Sequence, residues 1–137
     1  MIRLYDTQKR QKVEFKPLEE GKMGIYVCGP TVYDFSHVGH GRCYVAWDTI
    51  VRYFKYRGYD VTYVRNITDV DDKIINRANE CGEEPTALAA RFAEEFNKDL
   101  DDLGCIKPEV APKVSEHIPE IISLIEGIIE AGHGYPS

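Results

Sequence analysis

The spacing of apolar residues changes along the chain from a period of two to a period of three or four. Apolar and polar residues alternate over Arg3–Asp6 and Val13–Phe15, with the polar stretch Thr7–Lys12 between them, which predicts a small β-hairpin. Gly24–Cys28 is short, apolar and rich in β-preferring side chains, which predicts a buried strand. The first part of the chain is therefore predicted to be rich in strands.

A strand–helix–strand unit is predicted over residues 24–65. A helix is expected from about residues 39–42 to Arg57, with Gly58 placed to end it and a second strand at Asp60–Arg65. Its apolar face is assigned to Ala46, Trp47, Ile50, Val51 and Phe54. Two strands joined through a helix favour a right-handed crossover with parallel strands.

The later part of the chain is predicted to be helical. One helix is expected from about Asp69 to Glu80, ending near Gly82, and another begins near Pro85. A last helix is expected after Ser115, its N-cap. The apolar residues that recur at three and four in the last two helices are Leu88, Phe92, Phe96, Leu100, Leu103, Ile118, Ile121, Ile122, Ile125, Ile128 and Ile129.

These elements predict an α/β fold with a partial Rossmann-type parallel sheet, followed by helices. A doubly wound sheet usually has five or six strands, whereas this chain supplies two parallel strands and a hairpin and then only helices. The simplest interpretation is a fragment that stops before the second half of the sheet.

Composition narrows the class of protein. The chain has 137 residues, 43% of them hydrophobic, with a formal net charge of −6. No apolar run approaches the roughly 20 residues of a membrane span, and no signal peptide opens the chain, so a cytoplasmic protein is expected. Because phosphate contacts dominate nucleic-acid affinity, an acidic chain would need a local basic patch, or chain absent here, to hold RNA.

The stretch richest in chemistry is residues 26–42, which follows the first parallel strand and leads into a helix. Open α/β sheets bind ligands at this place, and a helix N-terminus offers N–H groups to a phosphate. His37 and His40 flank Gly39 there, and two imidazoles can donate hydrogen bonds to phosphate oxygens. The residues alone leave open a metal-ligand pair or two surface histidines.

Three stretches of the sequence resemble motifs of a known enzyme family. His37-Val38-Gly39-His40 resembles the His-Ile-Gly-His signature of class I aminoacyl-tRNA synthetases. The strings YVCGPTVYD at residues 26–34 and YVRNITDVDDKI at residues 63–74 are similar to cysteinyl-tRNA synthetases specifically. The resemblance covers nearly the whole chain. It implies an enzyme that activates cysteine with ATP, accompanied by Mg²⁺, and attaches it to tRNA(Cys).

The resemblance also implies roles for single residues. Cys28 would be one of four protein ligands of a Zn²⁺ ion that binds the substrate thiolate, and the other ligands would come from later chain. Gly29 and Thr31 would line the amino-acid pocket, with Thr68 opposite. His37 and His40 would hold the ATP phosphates and act in catalysis, and Gly39 would let adenosine approach the backbone. From the residues alone, a buried thiol is the favoured interpretation of Cys28, and Thr68 could equally be a helix N-cap.

Other titratable residues are assigned to structure rather than chemistry. The four cysteines, Cys28, Cys43, Cys81 and Cys105, are widely spaced and form no Cys-x-x-Cys pair, so a closed zinc site is not expected within this chain. A disulfide framework is not expected in a cytoplasmic protein. Asp69, Asp71 and Asp72 are expected to be capping carboxylates, with magnesium binding as the alternative. Trp47 is assigned to the core, and His117 and His133 to the surface.

The sequence departs from the family pattern in one important respect. The lysine-rich Lys-Met-Ser-Lys-Ser type of loop has no counterpart here. We therefore expect residues 1–114 to form the N-terminal half of the catalytic domain and residues 115–137 to begin a helical inserted domain, without complete adenylation activity. The alternatives are a related ligase that transfers cysteine to an amino-sugar, and a truncated, non-catalytic binding module.

Overall fold

The computed structural model describes residues 2–135, which form two small sheets and four α-helices. The elements in chain order are β1 (Arg3–Asp6), β2 (Gln11–Glu14), β3 (Lys22–Val27), α1 (Val38–Tyr56), β4 (Asp60–Arg65), α2 (Asp72–Cys81), α3 (Pro85–Asp102), a 3₁₀ turn (Val114–Glu116) and α4 (Ile118–Glu130). Strands β1 and β2 form the predicted antiparallel hairpin. The predicted α/β class is confirmed.

The predicted strand–helix–strand unit is confirmed. Strands β3 and β4 pair in parallel over six residue pairs, from Lys22 opposite Asp60 to Val27 opposite Arg65. Helix α1 connects them, and Gly58 follows it with a φ of +84°, a conformation that favours glycine at the end of a helix. Because parallel strands end at the same edge of a sheet, the segments after β3 and β4 leave the sheet side by side.

A third extended segment corrects the expectation that only helices follow β4. Val110 and Lys113 lie parallel to Val64 and Ile67 as isolated bridges. The amide of Arg65 donates to the carbonyl of Val110 at 3.1 Å, and the amide of Ile67 donates to the carbonyl of Pro112 at 2.9 Å. The pattern missed this segment because Pro108 and Pro112 interrupt the alternation that marks a strand.

Two apolar clusters hold the elements together. One joins the inner faces of β3 and β4 to α1 and the C-terminal half of α3, and the other joins α2 to the N-terminal half of α3. Val51 and Phe54 of α1 are buried as predicted, and Trp47 packs against the same cluster. Ala46 is exposed, so its predicted place on the apolar face is wrong. Tyr44, two residues earlier, lies on the buried face of α1 instead.

The helix starts differ from those predicted. Helix α2 begins at Asp72 rather than Asp69, capped by the side chain of Asp71, and ends at Gly82 with a φ of +69°. Pro85 occupies the first turn of α3, as predicted. Ser115 is not the N-cap of α4: it lies in the 3₁₀ turn, and α4 begins after His117.

Helix α4 has no buried residue. Its seven isoleucine and leucine side chains are all exposed: Ile118, Ile121, Ile122, Leu124, Ile125, Ile128 and Ile129. No helix among residues 2–135 combines the length and apolar character that crossing a membrane requires. The predicted domain boundary at residues 114–115 stays a prediction. The outer ends of the two predicted domains, Met1 and residues 136–137, lie outside the described residues.

Candidate active site

The two strand ends that carry the predicted site residues are joined to each other. Thr31 and Thr68 form a parallel bridge beyond the last pair of β3 and β4. The amide of Thr68 donates to the carbonyl of Pro30 at 3.0 Å, and the amide of Val32 donates to the carbonyl of Thr68 at 3.2 Å. Thr68 therefore lies opposite Thr31 as expected, and it does not cap α2.

Asn66 links these two strand ends, although the sequence did not single it out. Its Oδ1 accepts hydrogen bonds from the amide of Gly29 at 2.8 Å and the hydroxyl of Tyr26 at 2.9 Å. Its Nδ2 donates to Oγ1 of Thr68 at 3.2 Å. One side chain thus connects the end of β3 to the end of β4. Its position directly after β4 was the available signal, because polar residues at strand ends line such crevices.

Gly29 lies where the segments that follow β3 and β4 approach each other closely. A Cβ atom built there would lie 1.5 Å from the carbonyl oxygen of Asn66 and 2.6 Å from its carbonyl carbon. No side chain fits at those distances. The close approach of the Asn66 main chain therefore requires glycine at this position for steric reasons, independently of any ligand.

Cys28 is exposed at the end of β3, and the alternative of a buried thiol is wrong. Its side chain shares a sheet face with the exposed Tyr26, because alternate strand residues point to the same side. Its carbonyl accepts a hydrogen bond from the hydroxyl of Tyr44 at 3.1 Å. Tyr44 lies one helical turn after His40, so this contact fixes the end of β3 against the first turns of α1.

The two histidines close the start of α1 with their own side chains. The amide of Gly39 donates to Nδ1 of His37 at 3.1 Å, and the amide of His37 donates to Nδ1 of His40 at 3.2 Å. The rings are stacked with their centroids 4.0 Å apart. Both Nδ1 atoms are acceptors, so the neutral rings carry their proton on Nε2. Each ring therefore keeps an N–H donor that the cap does not use.

Gly39 is explained by the same geometry. A Cβ atom there would lie 2.8 Å from Cε1 and 2.9 Å from Nδ1 of His37. The absent side chain lets the His37 ring fold over the helix start. The structure thus supplies a reason for this glycine beside the adenosine contact that the family resemblance implies.

The pKa of His40 is lowered, first by desolvation and then by the charge of neighbouring His37. Because the pKa of His40 is lower in the folded chain, the unfolded chain binds more protons once the pH falls below the ordinary histidine pKa of 6.5. The stabilisation is therefore complete above pH 6.5 and is lost as the pH falls through the folded pKa. Protonation at Nδ1 would also remove the acceptor that caps the helix.

We expect the urea midpoint of the chain to decrease when the pH is lowered from 7.5 to 5. Loss of the helix cap should account for about 1 kcal/mol of the decrease in the free energy of unfolding. His40→Asn keeps an acceptor that does not titrate, so its midpoint should fall less over the same range. Equal falls for the two proteins would contradict the assignment of this pH dependence to His40.

A cavity opens beside the histidines, with a volume of about 630 Å³. Its wall is mainly apolar and combines the first turns of α1 with the end of α3. Leu103, which was predicted to share the buried stripe of α3, is instead half exposed in this wall. The cavity is large enough for a nucleoside-sized group, since small-molecule sites typically measure about 300–1,000 Å³.

The aspartates near α2 serve structure. Asp71 accepts a hydrogen bond from the amide of Lys73 at 2.8 Å, which confirms its predicted capping role. Asp69 does not cap this helix: it accepts from the amide of Ser115 at 2.9 Å and from its hydroxyl at 2.5 Å. Within residues 2–135 no group of three or more histidine, cysteine or acidic side chains could hold a metal ion.

Arg65, a second residue that the sequence did not single out, is only 5% exposed. Its guanidinium lies 5.3 Å from the ring centre of Tyr44 and 5.1 Å from that of Phe96. Cation–π contacts of this kind compensate part of the cost of burying a charge. Arg65 thereby holds in place the tyrosine that contacts Cys28.

Sequence relatives share this stretch of chain. A cysteine--tRNA ligase of Anaeromyxobacter sp. (strain K) is 59% identical over 134 residues, which are 98% of this chain and 28% of the relative. The chloroplastic/mitochondrial cysteine--tRNA ligase of Arabidopsis thaliana is 56% identical over 132 residues, 96% of this chain and 23% of the relative. The chain thus spans about a quarter of the length of these curated relatives.

Structural comparison agrees with the fold. A methionyl-tRNA synthetase of Mycobacterium tuberculosis, solved in complex with methionyl-adenylate, superposes with a TM-score of 0.56 and 27% identity, over 61% of this chain and 17% of that protein. Residues 14–137 match the family described as the tRNA synthetases class I (C) catalytic domain. The match covers more than half of the chain, and the chain therefore belongs to this class I synthetase family.

Proposed function

We propose that this chain forms part of the ATP- and cysteine-binding site of an enzyme that activates cysteine and attaches it to tRNA(Cys). One observation carries the proposal: the end of β3, with its exposed Cys28, is hydrogen-bonded to the helix that His37 and His40 cap. Relatives that share 51–59% identity with this chain are cysteine--tRNA ligases. The cytoplasmic location expected from the sequence is part of the same proposal.

The histidines would bind the phosphates of ATP. Their Nδ1 atoms are engaged in the cap, so the Nε2–H groups are the donors left for phosphate oxygens. The helix N-terminus adds its own positive partial charge. As the carboxylate of cysteine attacks the α-phosphorus and pyrophosphate leaves, fixed donors would stabilise the developing negative charge. Magnesium would accompany the ATP, bound to phosphate oxygens.

Cys28 would supply one thiolate ligand to zinc. Its exposure at the end of β3 and the soft character of sulfur fit that role. Zinc, when bound, supplies a partner that prefers a substrate thiolate to a serine hydroxyl. Residues 2–135 contain no group of three or more potential metal ligands. The ligands other than Cys28 would come from later parts of the enzyme, as the family resemblance implies. Gly29, Thr31 and Thr68 would line the pocket for the rest of the amino acid.

The proposal is tested with a chimera in which this chain replaces the matching segment of the Anaeromyxobacter cysteine--tRNA ligase. We expect cysteine-dependent exchange between ATP and pyrophosphate, and transfer of cysteine to tRNA(Cys). Exchange with transfer to an amino-sugar instead of tRNA would point to the related ligase. A folded chimera without exchange would overturn the proposal and favour a non-catalytic binding module.

A further inference from the structure

The hairpin of residues 3–16 differs in charge from the rest of the chain. It contains five basic and two acidic side chains, a formal charge of +3, whereas the whole chain carries −6. The remaining residues therefore carry −9. Such segregation creates a local positive field on an acidic protein.

Most of these cations lack an acidic partner. Within residues 2–135, Lys9 is the one hairpin cation with a carboxylate in reach, at 4.0 Å from Asp6. The basic residues without one are Arg3, Arg10, Lys12 and Lys16. Elsewhere, ion pairs occupy most of the lysines and arginines of α1, α2 and α3 and the loop after α3. The hairpin is therefore the part of the surface with the most uncompensated positive charge.

An exposed aromatic ring lies among these cations. Tyr5 is 62% exposed, and it pairs across the strands with Lys12. Arg3 lies two residues before Tyr5 and thus on the same face of the hairpin. A ring flanked by cations suits a nucleobase or ribose whose phosphates bind the neighbouring side chains. An acidic peptide would use the cations but not the ring.

The position of the hairpin favours a long partner. Phe15, at its base, packs against Phe54 with ring centres 5.0 Å apart. Phe54 follows His40 by 14 residues on α1, which is about 21 Å along the axis. The base of the hairpin therefore contacts α1 about 21 Å along the axis from His40, a separation that an RNA can span and a single nucleotide cannot.

We propose that the basic hairpin residues Arg3, Arg10, Lys12 and Lys16 bind the backbone of an RNA, with a base or ribose against Tyr5. The inference rests on the proposed function in taking RNA as the anionic partner. It assigns to the chain a contact remote from the reacting end of the RNA.

The test is binding of a labelled tRNA(Cys) transcript to the full chain between 50 and 200 mM salt. Arg10→Gln/Lys12→Gln should weaken binding about tenfold and reduce the slope of log K against log salt by about 1.4–1.8. The control Lys98→Gln/Lys107→Gln removes the same charge from exposed positions elsewhere and should change neither. Tyr5→Leu should weaken binding at least fivefold with an unchanged slope, against no change for Tyr56→Leu at an exposed control tyrosine.

Two results would overturn the inference: no RNA binding at 50 mM salt, or equal losses in the hairpin and control variants. Exchange between ATP and pyrophosphate needs no RNA, so the same substitutions in the chimera should leave it unchanged. If the hairpin substitutions leave the slope of log K against log salt unchanged while the chimera retains exchange, only the hairpin contact is rejected. Absence of exchange in the unsubstituted chimera rejects the proposed function instead.

Discussion

In the chimera, His40→Asn is expected to lower kcat/KM for cysteine-dependent exchange by about 10²–10³-fold, the usual effect of losing one donor to a developing oxyanion. The asparagine oxygen can still accept from the amide of His37, so the cap on α1 should persist. The substitution therefore separates the structural use of Nδ1 from the proposed chemical use of Nε2. Exchange kinetics and urea midpoints on the same protein measure the two effects.

His133→Asn is the matched control, since His133 is exposed near the end of the chain, beyond α4. It should change neither the exchange rate nor the midpoint. Full activity in the His40 variant would remove His40 from the reaction. A loss of activity that follows a loss of folding would assign the residue to the cap alone.

Gly29→Ala has the largest expected effect on stability, about 3 kcal/mol in the free energy of unfolding, the upper end of the usual cost of overpacking. The new methyl group would overlap the main-chain carbonyl of Asn66, with 1.5 Å between Cβ and oxygen, and main-chain atoms cannot turn aside as a side-chain end can. Relief requires the two strand ends to separate, which breaks the hydrogen bond from the amide of Gly29 to Asn66. Urea unfolding of the 137-residue chain measures the change.

Gly24→Ala provides the comparison on the same strand. A Cβ atom at Gly24 would meet nothing within 4 Å, so we expect a change within about 0.5 kcal/mol. Similar midpoints for the two variants would contradict the close approach of Gly29 to the main chain of Asn66.

The period of apolar residues was enough to predict the hairpin, the parallel unit around α1 and the amphipathic α3. These depend on neighbours in sequence, and glycine ends such as Gly58 and Gly82 mark helix limits through local backbone geometry. The motif at residues 37–40 and the strings around Cys28 and Thr68 were likewise enough to indicate the family, because they are contiguous.

Only the tertiary structure decided what distant residues do to one another. Asn66 and Arg65 act on β3 and α1 across the sheet, and the partner of Asp69 is Ser115, 46 positions later. The extended segment around Val110 is held by pairing with β4 and not by its own proline-interrupted pattern. A one-dimensional pattern records local preference and periodic burial, whereas these contacts are selected by the packing of the whole chain. For the same reason the sequence could not decide whether Cys28 is buried, and the tertiary structure shows that it is exposed.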